Sequence, residues 1–474
     1  MRPVRQVPRS LKTGVPMAPL RDGKILSTEG RPNLVRTDLT DLLVLAWPVV
    51  IARLGIMGMG LCDAIVVGRY SATQLGYHAL GWAPSSVVLT MLIGLLTGIQ
   101  VMTARATGEG RMRETGAVLR RGLSYSVWIG IAATLVLLAG GPAFLHVLGL
   151  SQDLADGASQ PLLIFALSMP GYAFSIAAGF WLEGLGRPKP AAVIMWVANG
   201  VNLAVNLVLV PGSFGLPAMG AVGAAWATFA ARIFMTLALA IFIIRMPEAR
   251  AYGVFDKPET DPAAEAEQRR IGYGSGASGF FEVASFAGMN VIAGWLGGLA
   301  VAAWAILLNV IAIVFMVPLG LSTAAAVLVG RYYGARDMAG AQRAGYVAFA
   351  VTLLFGVVVS LVMWPLAGLL ASGYTSNAAT LAMATPALVL SCLFLIPDAL
   401  QVVVAQTLRA KGDVWLPTYT HLISYAVIMA PLAWWLAIPL RMGVNGIVWA
   451  VTLASFVSAG LLLARFQMLA NRGR

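Results

Sequence analysis

The sequence predicts an all-α membrane protein, in which twelve transmembrane helices form two parallel six-helix repeats, an N lobe and a C lobe, around a central cavity. Of the 474 residues, 59% are hydrophobic and only 11% are charged, whereas soluble domains carry about 25% charged residues. Apolar runs of about 20 residues, the length that crosses a bilayer, recur along the whole chain. The two halves of the chain also share motifs at a constant spacing.

The first segment, residues 1–39, is polar, basic and proline-containing, and it lacks the apolar stretch of a signal peptide. We therefore expect a disordered cytoplasmic tail. The N lobe is expected at 40–244, a cytoplasmic linker at 245–272, the C lobe at 273–465 and a second tail at 466–474. Proline, glycine and charge separate the predicted spans, which are 42–67, 79–104, 122–140, 161–183, 191–211, 219–244, 273–296, 300–329, 345–370, 380–408, 415–437 and 443–464.

The basic residues set the orientation. If the N-terminus is cytoplasmic, 28 of the 32 Lys and Arg residues fall in cytoplasmic segments. Only Arg69 and Arg441 then lie in outer loops, while Arg53 and Arg232 lie within spans. Short cytoplasmic loops are enriched in Lys and Arg, so both termini are predicted to be cytoplasmic.

Two motifs reveal the repeat. The segment 94–108, GLLTGIQVMTARATG, matches 320–334, GLSTAAAVLVGRYYG, at an offset of 226 residues. Further on, 219–227 matches 442–450 at an offset of 223, with Met, Gly, Gly, Trp and Ala recurring in place. Because each repeat has six spans, the chain returns to the side of the membrane on which the repeat began. Both repeats therefore start on the same side and are parallel. A binding cavity is expected between the lobes.

Three acids lie deep in apolar sequence, and they are the main candidates for function. A charge at the bilayer centre costs about 2.5–3.5 kcal/mol on insertion scales, so such residues are functional candidates by default. Glu282 lies twelve residues after Arg270, about 18 Å along a helix. Asp398 lies eleven residues before Arg409, about 17 Å from the same face. Asp63 is in the other half, nearer the outside.

Glu282 and Asp398 are expected to share one site between the seventh and tenth spans. Two carboxylates in a medium of low dielectric constant either share a proton or hold a cation between them. The alternative for any one acid is a structural hydrogen bond between helices. Three acids at two defined depths, with no lysine close in sequence, favour a cation-binding device.

Several other polar residues lie within the spans. Asn199, Asn202 and Asn206 have the spacing i, i+3, i+7 and share one helix face. Asn309 is a similar deep amide in the eighth span. Amides of this kind are also a common means of joining helices, and that alternative stays open for each. Arg53 has no assigned partner, and Glu183 is interpreted as a group that anchors a loop.

The sequence excludes several classes of protein. It contains no HExxH, GxSxG or Walker motif and no nucleotide-binding domain, so neither an enzyme nor an ATP-driven pump is expected. The three histidines lack the spacing of a metal site, and no cofactor is expected. The basic residues lie in short loops, the pattern typical of cytoplasmic loops of membrane proteins, so the lipid bilayer and not nucleic acid is the expected partner. Two nonidentical halves with an off-axis carboxylate pair fit alternating access better than a channel.

The set of motifs resembles one known family. LAWPVVIARLGIMGMGLCDAIVVG, TARATGEG, EGLGRPKP, FFEVASFA and DALQVVVAQTLRAKGD are similar to the multidrug and toxic compound extrusion (MATE) family, and to its NorM-type branch. The resemblance covers residues 40 to 465. By this resemblance Asp63, Glu282 and Asp398 match the family's acids of the first, seventh and tenth spans. Asn202 and Asn206 match the amides near the first-span acid.

The resemblance implies a monomeric antiporter of the bacterial inner membrane. It would export small cationic or amphipathic compounds in exchange for Na⁺ or H⁺, which are the coupling ions and not cofactors. One departure is Phe394, because the NorM pattern has a tyrosine one turn before the tenth-span acid. The alternative is a flippase for lipid-linked compounds or polysaccharides from the same superfamily, and Arg53 and Arg232 keep that alternative open.

Overall fold

The computed structural model describes residues 33–147, 151–257 and 261–472. Over these ranges the regular structure is helical. The helices, numbered in chain order, are α1 (Leu34–Tyr70), α2 (Ala72–Gly108), α3 (Glu114–Val147), α4 (Gln152–Leu167), α5 (Met169–Gly184), α6 (Lys189–Leu209), α7 (Gly220–Arg245), α8 (Pro262–Leu296), α9 (Gly298–Gly334), α10 (Met338–Ser372), α11 (Ala378–Ala410), α12 (Trp415–His421), α13 (Ala430–Ala437) and α14 (Val444–Arg472). A π-helical segment, Leu422–Met429, joins α12 to α13.

The number of spans agrees with the sequence prediction. Eleven continuous helical segments are long and apolar enough to cross a membrane, counting α12 to α13 as one. The pair α4 and α5, bent by 45°, makes the twelfth. Pro170 explains the bend, because it has no N–H to donate to the carbonyl of Ala166. The hydroxyl of Thr134 donates to that carbonyl instead, at 2.7 Å.

Several helices extend beyond the predicted spans. α1 begins eight residues earlier than the predicted span, where the Asn33 side chain accepts a hydrogen bond from the Arg36 amide. α8 begins at Pro262, inside the segment predicted as a linker, with Asp261 capping the amide of Ala264. Hydropathy locates only the apolar part of a helix, whereas capping residues fix its end. The predicted tail at 1–39 lies mostly outside the described residues.

The lobes pack together at one end, which we call the closed end: the end where α1 and α8 begin and α2 and α9 finish. The two repeat motifs contact each other there. A Cβ on Gly108 would lie 1.9 Å from the carbonyl oxygen of Arg331, and one on Gly334 would lie 2.2 Å from that of Arg105. The reciprocal contact shows that equivalent glycines face each other across the pseudo-twofold axis, where no larger residue fits.

Polar contacts also join the lobes at the closed end. Arg105 donates to the carbonyl oxygens of Ala410 (2.9 Å) and Arg409 (3.2 Å), at the end of α11. Buried Asp38 in α1 pairs with Arg343 in α10 at 2.6 Å. The lobes are therefore held by helix-end carbonyls and an ion pair as well as by apolar packing.

At the opposite end the apolar packing separates by lobe. Two core clusters at the closed end combine both lobes, as in the contact of Val101 with Ile271. The large clusters at the other end each draw on a single lobe, one around Met59 and Leu162 and the other around Trp304. The described residues thus form two lobes that meet at the closed end and diverge from it.

Candidate functional site

Asp398 lies in the C lobe, on α11, and is only 4% exposed. One of its oxygens, Oδ1, accepts hydrogen bonds from the side chains of Tyr425 (3.3 Å), Gln401 (3.4 Å) and Ser455 (3.4 Å). All three contacts are long for hydrogen bonds to a charged group, which usually measure about 2.5–2.9 Å. The second oxygen has no hydrogen bond from the described residues. The carboxylate is therefore buried but weakly satisfied.

Glu282 lies on α8, in the same lobe as Asp398, and a cation site shared by the two acids stays a prediction. It is half-buried, and its charge interacts with those of Asp398 and Arg409. Over the described ranges, no group donates a hydrogen bond to its carboxylate. Ser278, one turn earlier on the same helix, accepts from Arg409 at 2.6 Å. This part of the C lobe therefore combines two carboxylates with one guanidinium.

The depth of Asp398 in the membrane was predicted from its distance to Arg409, and the position of Arg409 changes that prediction. The sequence predicts that Arg409 is a cytoplasmic loop residue at the membrane surface. In the structure Arg409 is only 4% exposed and donates to Ser278 in the C lobe. α11 continues as a helix to Ala410, so its last turn is covered by protein rather than by water. A single sequence shows where the apolar run ends but not which basic residues are covered by neighbouring helices.

Asp63 forms a separate site in the N lobe and is only 3% exposed. Its Oδ1 accepts from Asn202 (2.9 Å) and Asn206 (2.6 Å) on α6. Its Oδ2 accepts from the hydroxyl of Thr228 on α7 at 2.6 Å. The expected contact of Asp63 with both amides is therefore present. Asn199, on the same face, instead donates to the carbonyl of Gly55 at 3.0 Å and joins α6 to α1.

An unpaired acceptor lies beside this carboxylate. Asn206 Oδ1 is buried and has no hydrogen-bond donor among the described residues. His78 is also buried, and its Nδ1 has no hydrogen-bond partner among the described residues. A carboxylate next to a free amide oxygen is suited to receive a proton or a small cation.

Arg232, in the seventh helix, is buried beside the bend between α4 and α5. It donates to the hydroxyl of Ser168 at 2.6 Å. Its guanidinium also lies over the rings of Tyr172 (4.5 Å) and Trp82 (5.6 Å). Cation–π contacts of this kind are worth about 2 kcal/mol when desolvated, so they help to stabilise the charge inside the lobe.

Glu183, which the sequence indicates as a loop anchor, lies inside the N lobe in the structure. It is 7% exposed and accepts from Gln100 of α2 at 2.8 Å. Its other oxygen lies 4.0 Å from the guanidinium of Arg53 on α1. Glu183 therefore joins three helices inside the N lobe. Its position one residue before the end of α5 concealed this, because the neighbouring helices cover that end.

Two candidate residues, Asn309 and Phe394, form no hydrogen bond with the predicted acids. Asn309 is exposed and donates to the carbonyl of Ala305 in its own helix at 2.9 Å. Phe394 is 1% exposed and packs within the apolar core of the C lobe. The phenol oxygen near Asp398 comes instead from Tyr425 in the eleventh span.

Apart from Asn202 and Asn206, the sequence did not indicate the neutral residues that surround the two acids: Thr228, Gln401, Tyr425, Ser455 and Ser458. Ser458 donates to Gln401 Oε1 at 3.0 Å and orients that amide. Their one sequence signal is a polar side chain within an apolar span. That signal is weak, because Thr107, Thr352 and other hydroxyls of this chain bond only to their own helix.

Comparison with known proteins gives the family. The MatE family model matches twice, at residues 48–208 and 275–435, once in each lobe. The chain is 60% identical over 452 residues to "Probable multidrug resistance protein NorM" of Caulobacter vibrioides, covering 95% of this chain and 96% of that protein. It is 31% identical over 404 residues to "Multidrug resistance protein PmpM" of Pseudomonas aeruginosa, with 84% of each chain covered.

Solved structures agree on the fold. A MATE transporter "in the bent conformation" superposes with a TM-score of 0.84 at 18% identity, covering 93% of this chain and 97% of that one. The eukaryotic MATE transporter AtDTX14 superposes with a TM-score of 0.84 at 19% identity, covering 93% of this chain and 99% of that one. The names of these relatives give no support to the flippase alternative. The chain belongs to the MATE family of multidrug efflux transporters, in its NorM-type branch.

Proposed function

We propose that the chain is an antiporter, which exports small organic cations or amphipathic compounds in exchange for Na⁺ or H⁺. One observation carries the proposal: Glu282 and Asp398 both lie within helices of the C lobe, and in the described structure Glu282 has no hydrogen-bond donor, while Asp398 accepts only contacts of 3.3–3.4 Å. Buried carboxylates without sufficient donors need a cation, and either a coupling ion or a cationic substrate can supply it.

Competition for this pair links the two fluxes. When an ion or proton neutralises the carboxylates, they no longer attract a cationic substrate, and the substrate leaves. When the carboxylates are ionised, they attract a cation strongly because the surrounding dielectric constant is low. Coupling requires that the ion and the substrate favour opposite states or exclude each other, and a shared carboxylate pair meets this requirement.

The closed end provides the second element of the mechanism. With both termini cytoplasmic, the lobes meet on the cytoplasmic side, and the space between them faces outward. Export then requires the contacts of Arg105 and Asp38 to open and the outer ends to meet. Helix-end carbonyls and one ion pair are contacts that reform readily, as alternating access demands.

The available oxygen ligands support a proposal for the coupling ion. Sodium needs several oxygen ligands, and Glu282, Asp398, Tyr425 and Ser455 all bear side-chain oxygens in the C-lobe site. We therefore propose Na⁺ first and H⁺ second at this site. Asp63, with three close donors, is proposed as a second proton or ion site. The proposed setting is a monomer in the bacterial inner membrane.

The experiment tests transport and coupling together. Cells that express the protein should tolerate ethidium better than cells with the empty vector, and everted vesicles should transport ethidium under a sodium or proton gradient. Glu282→Gln and Asp398→Asn should each abolish gradient-driven transport while insertion into the membrane stays normal. Asp153→Asn, at an exposed helix start, is the matched control. Wild-type rates in both variants under both gradients would refute the mechanism.

A further inference from the structure

A groove runs along the outside of the N lobe, between α1 and α6. Its volume is about 660 Å³, and it is lined by residues within 58–70 and 203–211, all of them from this lobe. Asp63 faces the interior of the lobe, where α6 donates to it. Successive residues of a helix are about 100° apart, so Ile65 in the groove lies about 200° around α1 from Asp63. The groove therefore opens toward the lipid and is separate from the space between the lobes.

The groove has the length of one acyl chain. Eleven residues separate Gly58 at one end from Arg69 at the other, which is about 16 Å along a helix. One leaflet contributes about 15 Å of a hydrocarbon core that is about 30 Å thick. Apart from Cys62, Arg69 and Tyr70, the lining is apolar. A hydrocarbon chain that runs from the membrane surface to the middle of the bilayer fits this shape.

A charge lies at the surface end of the groove. Arg69 is exposed in the last turn of α1, and within the described ranges no group accepts a hydrogen bond from it or pairs with its charge. The next helix, α2, begins three residues later at Ala72, and the positive end of its dipole adds to the charge of Arg69. The groove thus combines apolar walls at membrane depth with an unpaired cation at the depth of the lipid headgroups.

The neighbouring loop also suits a lipid surface. Residues 211–219, between α6 and α7, contain no charged side chain. In this loop Phe214 is 92% exposed and Leu216 is 47% exposed. Aromatic side chains next to the ends of membrane helices are typical of the interface between lipid and water. Pro211, where the loop begins, lines the groove, so the loop and Arg69 meet the same layer of the bilayer.

We propose that this groove binds one anionic phospholipid. One acyl chain lies between α1 and α6, and the phosphate and the rest of the anionic headgroup bind Arg69. A guanidinium pairs with phosphate oxygens through two parallel N–H donors. The choline group of a zwitterionic lipid carries a positive charge that Arg69 repels, so the site selects by net charge. Phosphatidylglycerol has the required charge.

Cys62 lines the groove and gives a direct readout of its occupancy. The chain has two cysteines, so Cys392→Ser leaves Cys62 as the only thiol. The full-length protein in a neutral detergent is titrated with phosphatidylglycerol, or with phosphatidylcholine of the same acyl chains. The rate at which N-ethylmaleimide labels Cys62 is then measured. Phosphatidylglycerol should slow the labelling at lower concentrations than phosphatidylcholine does.

Replacing Arg69 in this background should remove the preference between the two lipids. Arg69→Gln should raise the phosphatidylglycerol concentration that gives half-protection about fivefold or more, which is the effect of one basic residue on the binding of anionic lipid. The concentration for phosphatidylcholine should stay unchanged. Arg69→Lys keeps the charge and should keep most of the preference. Arg441→Gln is the matched control, because Arg441 is also an exposed arginine between two helices but lies outside the groove.

Three results would overturn the proposal. The first is equal protection of Cys62 by the two lipids in the protein with native Arg69. The second is an equal shift of the half-protection concentration in Arg69→Gln and Arg441→Gln. The third is protection by inorganic phosphate alone, which would show a site for a free anion and not for a lipid.

Discussion

Substituting Gly98 by alanine should open the closed end. On the α2–α8 contact, a Cβ at Gly98 would lie 2.0 Å from the carbonyl oxygen of Gln268. Ordinary contact begins at 3.4 Å, so the helices must separate by about 1.4 Å or distort, and overpacking of this kind costs about 1–3 kcal/mol. The clash is with backbone, which cannot rotate away. Because 1.4 kcal/mol is tenfold in an equilibrium, the equilibrium constant between the closed and the open arrangement should fall roughly fivefold to 150-fold.

The helix itself should gain from the same substitution. Alanine is favoured over glycine in a helix by about 1 kcal/mol, so the stability of α2 and the contact between the lobes should change in opposite directions. Gly288 on α8 provides the matched control, because a Cβ there would meet nothing within 4 Å. Gly288→Ala should keep the lobe arrangement of the wild type.

Distances between spin labels measure the outcome directly. Labels at Glu114, where α3 begins, and Ala339, in the first turn of α10, would report the separation of the lobes at the closed end. Cys62 and Cys392 must first be replaced so that only the introduced cysteines react. Gly98→Ala should move the distance distribution to longer values. If Gly98→Ala and Gly288→Ala give the wild-type distribution, the tight glycine contact does not control the closed end.

Two further predictions concern the N lobe and the orientation. Thr228→Val removes the 2.6 Å donor from Asp63, an interaction worth about 1.5–3 kcal/mol; ion-driven efflux in vesicles should fall at least tenfold. Thr452→Val should have no effect, since that buried hydroxyl bonds only its own helix, and equal activity of the two variants would count against the Asp63 site. An impermeant thiol reagent should label a cysteine at Gln152 in intact cells and miss one at Ala266, both exposed positions at opposite ends. The reverse labelling would contradict the orientation.

The sequence predicted what depends on hydropathy and repetition. Apolar length alone gave the number of spans, and the matching glycines at 94–108 and 320–334 indicated two lobes before their reciprocal contact was known. The contact of Asp63 with Asn202 and Asn206 was also expected. The roles of these residues in coupling stay predictions.

What the sequence could not predict depends on how helices cover one another. Arg409 and Glu183 lie near helix ends, where hydropathy places water, yet neighbouring helices bury both. The family resemblance singles out Phe394, one turn before Asp398, but this side chain packs in the apolar core, and Tyr425 supplies the phenol from another span. Pro397 lies between Phe394 and Asp398 and removes one backbone hydrogen bond at that turn, so helical spacing is a poor guide to direction there.

The repeat also shows how one architecture gives two different sites. Tyr172 and Asp398 are equivalent at the offset of 226, and Arg232 and Ser455 are equivalent at 223, where Gly220 and Gly443 both have positive φ. In the N lobe the pair meets as a guanidinium 4.5 Å from the centre of a phenol ring, and in the C lobe as a hydroxyl 3.4 Å from a carboxylate. Backbone packing keeps the two positions in contact in both lobes, while the side chains decide the charge. The cation of the N lobe and the anion of the C lobe therefore occupy the two different positions of one conserved packing contact, and the equivalent position in the other lobe is neutral in each case: Ser455 for Arg232 and Tyr172 for Asp398.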